Sequence, residues 1–434
     1  MSTVVQREPG DPAGIAVSTN RPLPGSVKAA LGYRDFRVLW TGQTVSSIGS
    51  WMQNIAVGPY ALALSKTPSH PHGSASFVAI VSIAQMAPLL LLALVGGLLT
   101  NRLPRRGLIL AGQSVQLAMA IVLAALALHH PTKAGLVACV LVSGIATALS
   151  APSYQSVMPE LVDREDMPGA ISLNSASLNG SRVVGPLILL ALAAVGVRTN
   201  TAHGIAFVFV VNGLTFFASM AAVAMISIKP VQRSSGQSGA PRLLDGFREA
   251  RRNPVVGRTL TLLFFLSLFC LPYISQFPSI AERNLGVDSN ATSYKVMYGV
   301  WALGAMLGSL AQATLLARVD KRRSTRWMLA GFALALFVFA AVRSIGIAMP
   351  VVLVLGFFYF GSTTAMSTVM QQHVTPQQRG PVMALWLMAF GGTIPFGSAW
   401  GGRVIDHWSP TPMLVFGGII AVLLAAAARF ESRN

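Results

Sequence analysis

Long apolar segments alternate with short polar segments along almost the whole chain. A helix needs about 20 apolar residues to cross a bilayer, and twelve segments of that kind are present. They lie near residues 37–64, 75–100, 107–129, 134–157, 169–196, 203–228, 256–281, 291–316, 325–343, 347–371, 381–405 and 410–429. The pattern predicts an all-α membrane protein with 12 transmembrane helices.

The longest polar interruption divides the twelve segments into two sets of six. We expect an N-terminal half at 36–228, a cytoplasmic linker at 229–255 and a C-terminal half at 256–429. The linker portion RLLDGFREARRNP is either a short amphipathic helix on the membrane surface or a solvated basic stretch. Residues 1–35 have no apolar core, which predicts a disordered tail, and 430–434 form a second tail.

Composition and charge support a membrane protein and indicate its orientation. Only 11% of the residues are charged and the mean hydropathy is +0.60, which is too apolar for a soluble protein of this size. The net charge of +18 comes from basic residues in the short segments between apolar runs, so no nucleic-acid partner is expected. Most of the 32 lysines and arginines fall on the side of the two termini. The positive-inside rule then places both termini in the cytoplasm, as for a multi-pass protein of a bacterial inner membrane.

A basic loop after the second segment has a degraded copy after the eighth. The first copy is GGLLTNRLPRRG at 96–107, and the second is ATLLARVDKRR at 313–323. Internal repeats of this kind are common in transporters. We expect the two copies to form a gating loop in a protein that acts as a monomer. The gating residues are Gly97, Asn101, Arg102, Arg105, Arg106, Arg318, Lys321 and Arg322.

The first copy resembles the loop between spans two and three of the major facilitator superfamily. That family pattern is Gly, three residues, Asp-Arg, one residue, Gly-Arg-Arg or Lys, and this chain departs from it at Asn101 and Pro104. The strings FRVLWTGQTVSSIGSWMQ (36–53) and MPELVDREDMPGAISLNSASLNGSRVVGP (158–186) are similar to bacterial exporters related to the enterobactin exporter and the macrolide-efflux permeases. The resemblance implies an exporter driven by the proton gradient, whose two halves rock between inward-open and outward-open states.

The resemblance also implies a role for the loop as a latch on the cytoplasmic side. In the family, the loop aspartate meets the N-terminus of span eleven, where the helix dipole favours a carboxylate. Asn101 lacks that charge, so we expect a weaker latch in this chain. Arg102 and Arg106 are expected to meet the acidic residues between Glu160 and Asp166, or else they serve only to orient the chain.

Polar side chains recur at helical spacing in spans one and five, and aromatic side chains do so in span eleven. Polar groups in a bilayer need partners or water, so these stripes indicate a cavity, although small polar and aromatic stripes also serve in helix packing. A cavity of mixed amides, hydroxyls and aromatic rings suits an amphipathic substrate. The cavity candidates are Gln43, Ser47, Ser50, Asn54, Asn174, Arg182, Trp386 and Phe390.

Arg182 lies near the middle of span five, in the string NGSRVVGP. An arginine at the bilayer centre costs about 2.5–3.5 kcal/mol on insertion scales, so it is a functional candidate by default. It either binds an anionic substrate or is a structural arginine bonded to neighbouring helices. The string resembles the antiporter motif of span five, and Gly185 and Pro186 are expected to bend the helix or pack it tightly.

Proton coupling requires a group that titrates within the pathway, and no aspartate or glutamate lies in the middle of a segment. The nearest candidates are Glu282 and Asp406, at the outer ends of spans seven and eleven. No cofactor and no metal site is expected, because both cysteines lie inside apolar runs and no metal-ligand spacing is present.

The sequence therefore predicts a secondary active transporter that exports a small amphipathic molecule, such as a drug, a siderophore or another metabolite, in exchange for protons. A lipid or lysolipid flippase and a membrane sensor or scaffold without transport are the alternatives. An enzyme is the least favoured reading, because no nucleophile and base set, phosphate-binding loop or metal-ligand spacing is found in the sequence.

Overall fold

A computed structural model describes residues 23–197, 201–228, 243–375 and 378–428. The described residues form α-helices with short connections, together with one 3₁₀ turn at Met158–Leu161 and one π-helical turn at Leu266–Cys270. The α-helices are α1 (Val27–Gly32), α2 (Arg34–Leu64), α3 (Ala75–Arg102), α4 (Arg105–His129), α5 (Lys133–Val157), α6 (Met167–Ala194), α7 (Ala202–Met225), α8 (Leu243–Arg252), α9 (Pro254–Phe265), α10 (Pro272–Ser275), α11 (Phe277–Asn284), α12 (Thr292–Ala313), α13 (Lys321–Ala341), α14 (Ile345–Gln372), α15 (Arg379–Phe390), α16 (Ile394–His407) and α17 (Pro410–Ala427).

Eleven helical stretches among the described residues are long and apolar enough to cross a membrane. Helix α2 is longer than any of them, with 31 residues, but its polar side chains keep it outside that set. The chain is therefore an all-helical, multi-pass membrane protein. The full count of twelve spans and the orientation of the termini stay predictions.

Two of the predicted spans are broken rather than continuous. Span seven, predicted at 256–281, consists of α9, the π-helical turn, α10 and α11. Pro272, which has no backbone N–H to donate, opens α10 after that turn. Span eleven, predicted at 381–405, is divided into α15 and α16 at Gly391–Thr393, where a glycine pair weakens the helix.

Each half forms its own helical bundle, and among the described residues two pairs of helices make most of the contact between the halves. In the N-terminal half α3 packs on α5 and α7 packs on α2 and α4, while in the C-terminal half α14 packs on α12 and α13. Across the halves, α3 packs against α16 and α6 against α12. We call the end of the molecule that carries α8 and the loop at 314–320 the linker end, and the opposite end, with the loop at 65–74, the distal end.

Residues 23–35 differ from the predicted disordered tail, whereas residues 1–22 lie outside the described part of the chain. Helix α1 packs against the start of α6, and the hydroxyl of Tyr33 donates to Asp163 and Asp166 at 2.9 Å each. These two carboxylates raise the pKa of Tyr33 to about 12, because they hold its proton. The chain is thus held to the loop before α6 immediately ahead of its first long helix, α2.

The linker adopts the predicted short helix in its described portion. Helix α8 packs against α15, and a β-carbon on Gly246 would lie only 2.7 Å from the carbonyl oxygen of Pro381. Glu249 accepts a hydrogen bond of 2.6 Å from the side chain of Gln378. The helix therefore ties the connection between the halves to the start of the broken span eleven.

Candidate functional site

Arg182 lies in the seam between the two halves. Its guanidinium carbon is 5.0 Å from the ring centroid of Trp51 on α2 and 4.8 Å from that of Phe360 on α14. It also borders a small cavity lined by Trp301 and other residues of α12. The arginine and Trp51 belong to the N-terminal half, while Phe360 and Trp301 belong to the C-terminal half. The positive charge of Arg182 thus lies next to aromatic rings from both halves.

This arginine has no acidic counter-ion among the described residues. No ion pair involving Arg182 is formed within 4.0 Å, and its buried Nε has no hydrogen-bond partner there. A cation over an aromatic face gains about 0.5–2 kcal/mol. These contacts with the ring faces do not use the N–H donors of the guanidinium, and those donors form its strongest interactions with an anion. Arg182 therefore does not have the hydrogen-bonded surroundings that a purely structural arginine requires.

Gly185 and Pro186 place α6 close to both halves. A β-carbon on Gly185 would lie 2.9 Å from the β-carbon of Trp51, so a larger residue does not fit there. One residue later, Pro186 packs against Gly299 of α12 across the seam, at 3.5 Å from the β-carbon position of that glycine. Helix α6 continues through both residues. Gly185 and Pro186 thus allow α6 to pack closely against its neighbours, and close packing is one of the two roles expected for them.

The polar stripe of span one points away from the packing face of that helix. Gln43, Ser47 and Ser50 are half-buried, and Asn54 is exposed and accepts a hydrogen bond of 2.6 Å from Gln85 of α3. Asn174 is half-buried on α6. The stripe is thus partly accessible, as a cavity wall requires.

Sequence reasoning missed Gln53, which lies on the other face of α2. It is buried and accepts a hydrogen bond of 2.7 Å from Asn212 of α7. Gly42 and Gly49 share that face with it, and glycines at this spacing are the signal that could have marked the packing face.

The aromatic stripe of span eleven belongs to the interior of the C-terminal half. Trp386 is buried in the large hydrophobic core that is formed mainly by that half, and Phe390 packs against the same core. Trp400 donates to the carbonyl of Leu268 at 3.0 Å, and its ring centroid lies 6.1 Å from that of Phe269, with the two rings tilted. These positions support packing, the second of the two roles considered for the stripe, rather than a cavity wall.

The basic loop of the N-terminal half contacts its own half. Arg105 forms an ion pair with Glu160, and Arg106 donates to the carbonyl oxygen of Ala224 at 2.5 Å. Arg102 is exposed. It is therefore Arg105, not Arg102 or Arg106, that meets the acidic loop after α5. The side chains of Gly97 and Asn101 lie outside the described residues, so the expected latch to span eleven stays a prediction.

The second copy of the loop contacts the C-terminal half. Lys321 donates to the carbonyl oxygens of Gln312 and Leu316 at 2.9 and 2.5 Å, and Arg318 is exposed. Arg322 bonds to Nε2 of His373 at 2.7 Å. The two copies occupy equivalent places, and each holds together the linker end of its own half.

At the distal end, charged groups join the two halves directly. Lys66 of the N-terminal half pairs with Glu282 of the C-terminal half at 3.0 Å. Glu282 is 9% exposed and also accepts a hydrogen bond of 2.7 Å from Ser289. Arg283 donates to the carbonyl oxygen of Gly73 at 2.8 Å. We refer to Lys66, Glu282, Arg283 and Asp406 as the distal gate.

Asp406 of α16 caps the first turn of α3 across the halves. Its carboxylate accepts from the backbone N–H groups of Ala75 and Ser76 at 2.8 Å each, and from the hydroxyl of Ser74 at 2.9 Å. Arg283 adds a bond of 2.8 Å to the same carboxylate. A carboxylate at a helix N-terminus is favoured by about 0.3–1 kcal/mol through the dipole alone, and more where it is partly buried. The described hydrogen bonds and ion pairs between the halves lie at this end, so the molecule is closed distally.

Comparisons with solved structures show which known fold the chain adopts. The fold is similar to that of the nucleoside transporter NupG, with a TM-score of 0.69 and 11% identity over 92% of this chain and 100% of that one. It is also similar to an auto-inhibited peptide transporter of the POT family, with a TM-score of 0.71 and 15% identity over 92% of this chain and 98% of that one. A bacterial homologue of the human lysosomal transporter Spinster, in an inward-facing and unoccupied conformation, has a TM-score of 0.67, 16% identity, and coverage of 91% and 95%. Together with the family match over residues 26–433, this fold makes the protein a membrane transporter of the major facilitator type.

Within that class, residues 26–433 match the family described as transmembrane secretion effector, and the chain belongs to this family. It is a family of transporters rather than enzymes. The staphyloferrin A transporter of Staphylococcus aureus (strain NCTC 8325 / PS 47) is 21% identical over 399 residues, which are 89% of this chain and 94% of that protein.

Proposed function

We propose that the protein exports small amphipathic molecules that carry an anionic group, by alternating access of its two halves. The observation that carries this proposal is Arg182, a guanidinium without an acidic partner, held between aromatic rings of both halves. Such a site attracts an anion to the guanidinium and an apolar or aromatic body to the rings. The transport of staphyloferrin A by a relative is in keeping with a siderophore or a metabolite of this kind as the substrate.

The distal gate supports alternating access with a closed distal side. Binding at Arg182 brings the substrate to the seam, and export requires that the gate bonds break while the linker end closes. A substrate shifts this equilibrium only by the difference between its affinities for the two states. An anion bound between rings of both halves has different affinities for the two states, because rocking of the halves changes the positions of the rings around it.

We extend the proposal to protons as the coupling ion, through Glu282 and Asp406. Glu282 holds the gate through its ion pair with Lys66, and Asp406 through its ion pair with Arg283. A proton on Asp406 removes its attraction to Arg283. A proton arriving from the distal side therefore favours the distally open state. Antiport further requires that these protons are released towards the linker side when the halves return, and the gradient across a bacterial inner membrane, the proposed location, drives protons in that direction.

A binding experiment with three related fluorescent probes tests the substrate class. Dansyl acid is a sulfonate anion, dansylamide is neutral and dansylcadaverine is a cation, and all three accept energy from the tryptophans beside Arg182. Loss of a charge-assisted hydrogen bond costs about 1.5–3 kcal/mol. We therefore expect Arg182→Gln to weaken the binding of dansyl acid by at least about tenfold and to leave the binding of dansylamide almost unchanged.

The matched control is Arg403→Gln, which removes an exposed arginine at the distal end. It should leave all three affinities unchanged. Preference of the wild-type protein for dansylcadaverine, or equal binding of dansyl acid by Arg182→Gln and wild type, would show that the proposal is wrong. Movement of a dansyl-labelled phospholipid between leaflets of proteoliposomes, without transport of dansyl acid, would instead support a flippase.

A further inference from the structure

Lys295 is a second cation in the seam between the halves. It lies near the distal end of α12 and is only 7% exposed. It borders a small cavity whose wall comes from α2, from Leu189 of α6 and from Ser289 and Asn290. The cavity is thus built by both halves, like the surroundings of Arg182.

The ammonium group of Lys295 has no counter-ion in contact. No ion pair within 4.0 Å and no hydrogen bond of this side chain is formed with the described residues. Asp288 acts on it electrostatically, but that side chain is exposed and accepts a hydrogen bond of 2.8 Å from the backbone of Asn290. Glu282 is occupied by Lys66 and Ser289. A buried lysine is rare unless it is paired, because an unpaired charge is costly to remove from water.

The two cations lie on opposite sides of a closed contact. On α6, Leu189 beside Lys295 follows Arg182 by two helical turns, which is about 10 Å along the helix. Between them, Pro186 packs against Gly299. The cavity of Lys295 is on the distal side of this contact and just behind the distal gate, whereas Arg182 is on the linker side.

We propose that Lys295 is an exit subsite that receives the anionic group of the substrate from Arg182 when the halves rock and the contact between Pro186 and Gly299 opens. This inference rests on the proposed function and adds to it a second anion-binding position. The lysine compensates the charge of an organic anion on the part of its path where Arg182 no longer reaches it. The distal gate then opens beside an anion that is already neutralised.

Lys295→Met tests this subsite, because methionine fills the buried space without a charge. We expect the variant to unfold at the same temperature as wild type or higher, since it removes an unpaired buried charge. Equilibrium binding of dansyl acid at Arg182, followed by energy transfer from tryptophan, should change less than about twofold. Transport of dansyl acid into proteoliposomes should fall by about tenfold, the size expected for loss of one charge-assisted contact.

Two further variants complete the experiment. Lys295→Arg keeps the charge and should restore most of the transport. Lys133→Gln removes a lysine at the same end of the molecule, which lies over the ring of Phe77 and outside the seam, and should transport at the wild-type rate.

Each outcome decides for or against the subsite. Unchanged transport by Lys295→Met overturns the inference, and so does an equal loss of transport for dansyl acid and the neutral dansylamide, which would indicate a packing role. A lower unfolding temperature together with lost binding would also overturn it. Failure of the proposed function is distinguishable, since Arg182→Gln would then bind dansyl acid as well as wild type does.

Discussion

At Gly42 and Gly49, helix α2 approaches α7 so closely that no β-carbon fits. The added atom at Gly49 would lie 2.3 Å from the hydroxyl of Thr215, and at Gly42 it would lie 2.5 Å from the β-carbon of Ala222. Helices in membranes associate through such close packing, because lipid gives little hydrophobic driving force between them. The two glycines therefore determine which face of span one packs against α7, and Gln43 and Ser47, which are half-buried, lie outside that packed face.

Gly49→Val should destabilise the N-terminal half. Forcing a larger side chain into a packed contact costs about 1–3 kcal/mol. Thermal unfolding of the purified protein in detergent should show a lower midpoint for this variant than for wild type. Gly107→Val, at a glycine with nothing within 4 Å, should keep the wild-type midpoint. Equal midpoints for the two variants would mean that α2 and α7 do not pack as described.

Asp406→Asn should release the distal gate. The asparagine can still bond to one backbone N–H, but it loses the attraction to Arg283 and to the dipole of α3. Both native cysteines are buried, so spin labels can be introduced at the exposed positions His130 and Trp408 at the distal end of the two halves. Double electron-electron resonance should then show a longer distance population than in wild type.

Lowering the pH should also open the distal gate of the wild-type protein. Protonation of Asp406 removes its charge attraction to Arg283, so the longer population should grow as the pH falls. Arg403→Gln serves again as the control and should keep the wild-type distribution. A distribution in Asp406→Asn that is indistinguishable from wild type would contradict the role of the gate.

At the scale of elements, the broken helices and α8 meet at one corner of the linker end. Asn253 caps α9 through hydrogen bonds to two backbone N–H groups, and its side-chain nitrogen donates to the carbonyl of His373 at 2.9 Å. The connection between the halves is thereby held to the end of α14. Discontinuous helices are frequent in the moving parts of transporters, and at this corner α8 packs against the first segments of both broken spans, α9 and α15.

Asn253→Ala should lower the free energy of unfolding by about 0.5–2 kcal/mol, the usual value of an N-cap side chain. Ser344→Ala is the matched control, because Ser344 occupies the N-cap of α14 without a side-chain hydrogen bond to it. Denaturant unfolding monitored by circular dichroism would measure both variants. A loss in Ser344→Ala as large as that in Asn253→Ala would show that capping is not the cause.

At the scale of the whole molecule, the two halves are joined by charged bonds at one end and by an arginine among aromatic rings in the middle. This arrangement predicts transport that depends on the proton gradient. Cells that lack the protein should accumulate more dansyl acid than cells that make it, and a protonophore should remove the difference. Export that continues unchanged with the protonophore would contradict proton antiport.

The sequence predicted the all-helical membrane fold, because apolar length is a local property of the chain. The role of Arg182 stays a prediction. The sequence could not predict that Trp386 and Phe390 pack inside the C-terminal half, since a stripe on one helix does not state which neighbour it meets. The breaks in spans seven and eleven were missed although Pro272 and Gly391 mark them. The isolation of Lys295 depends on which side chains lie nearby, and only the folded chain establishes that.

The cap that Asp406 places on α3 has a consequence for the surroundings of the protein. Once the gate opens, the first N–H groups of α3 face water without their carboxylate, and a helix end of this kind attracts small anions from the medium. Chloride or phosphate on the distal side would then compete with Asp406 for the same amides and slow its return. The rate of recovery after each cycle would thus depend on the salt at the distal side of the membrane as well as on the substrate at the linker side.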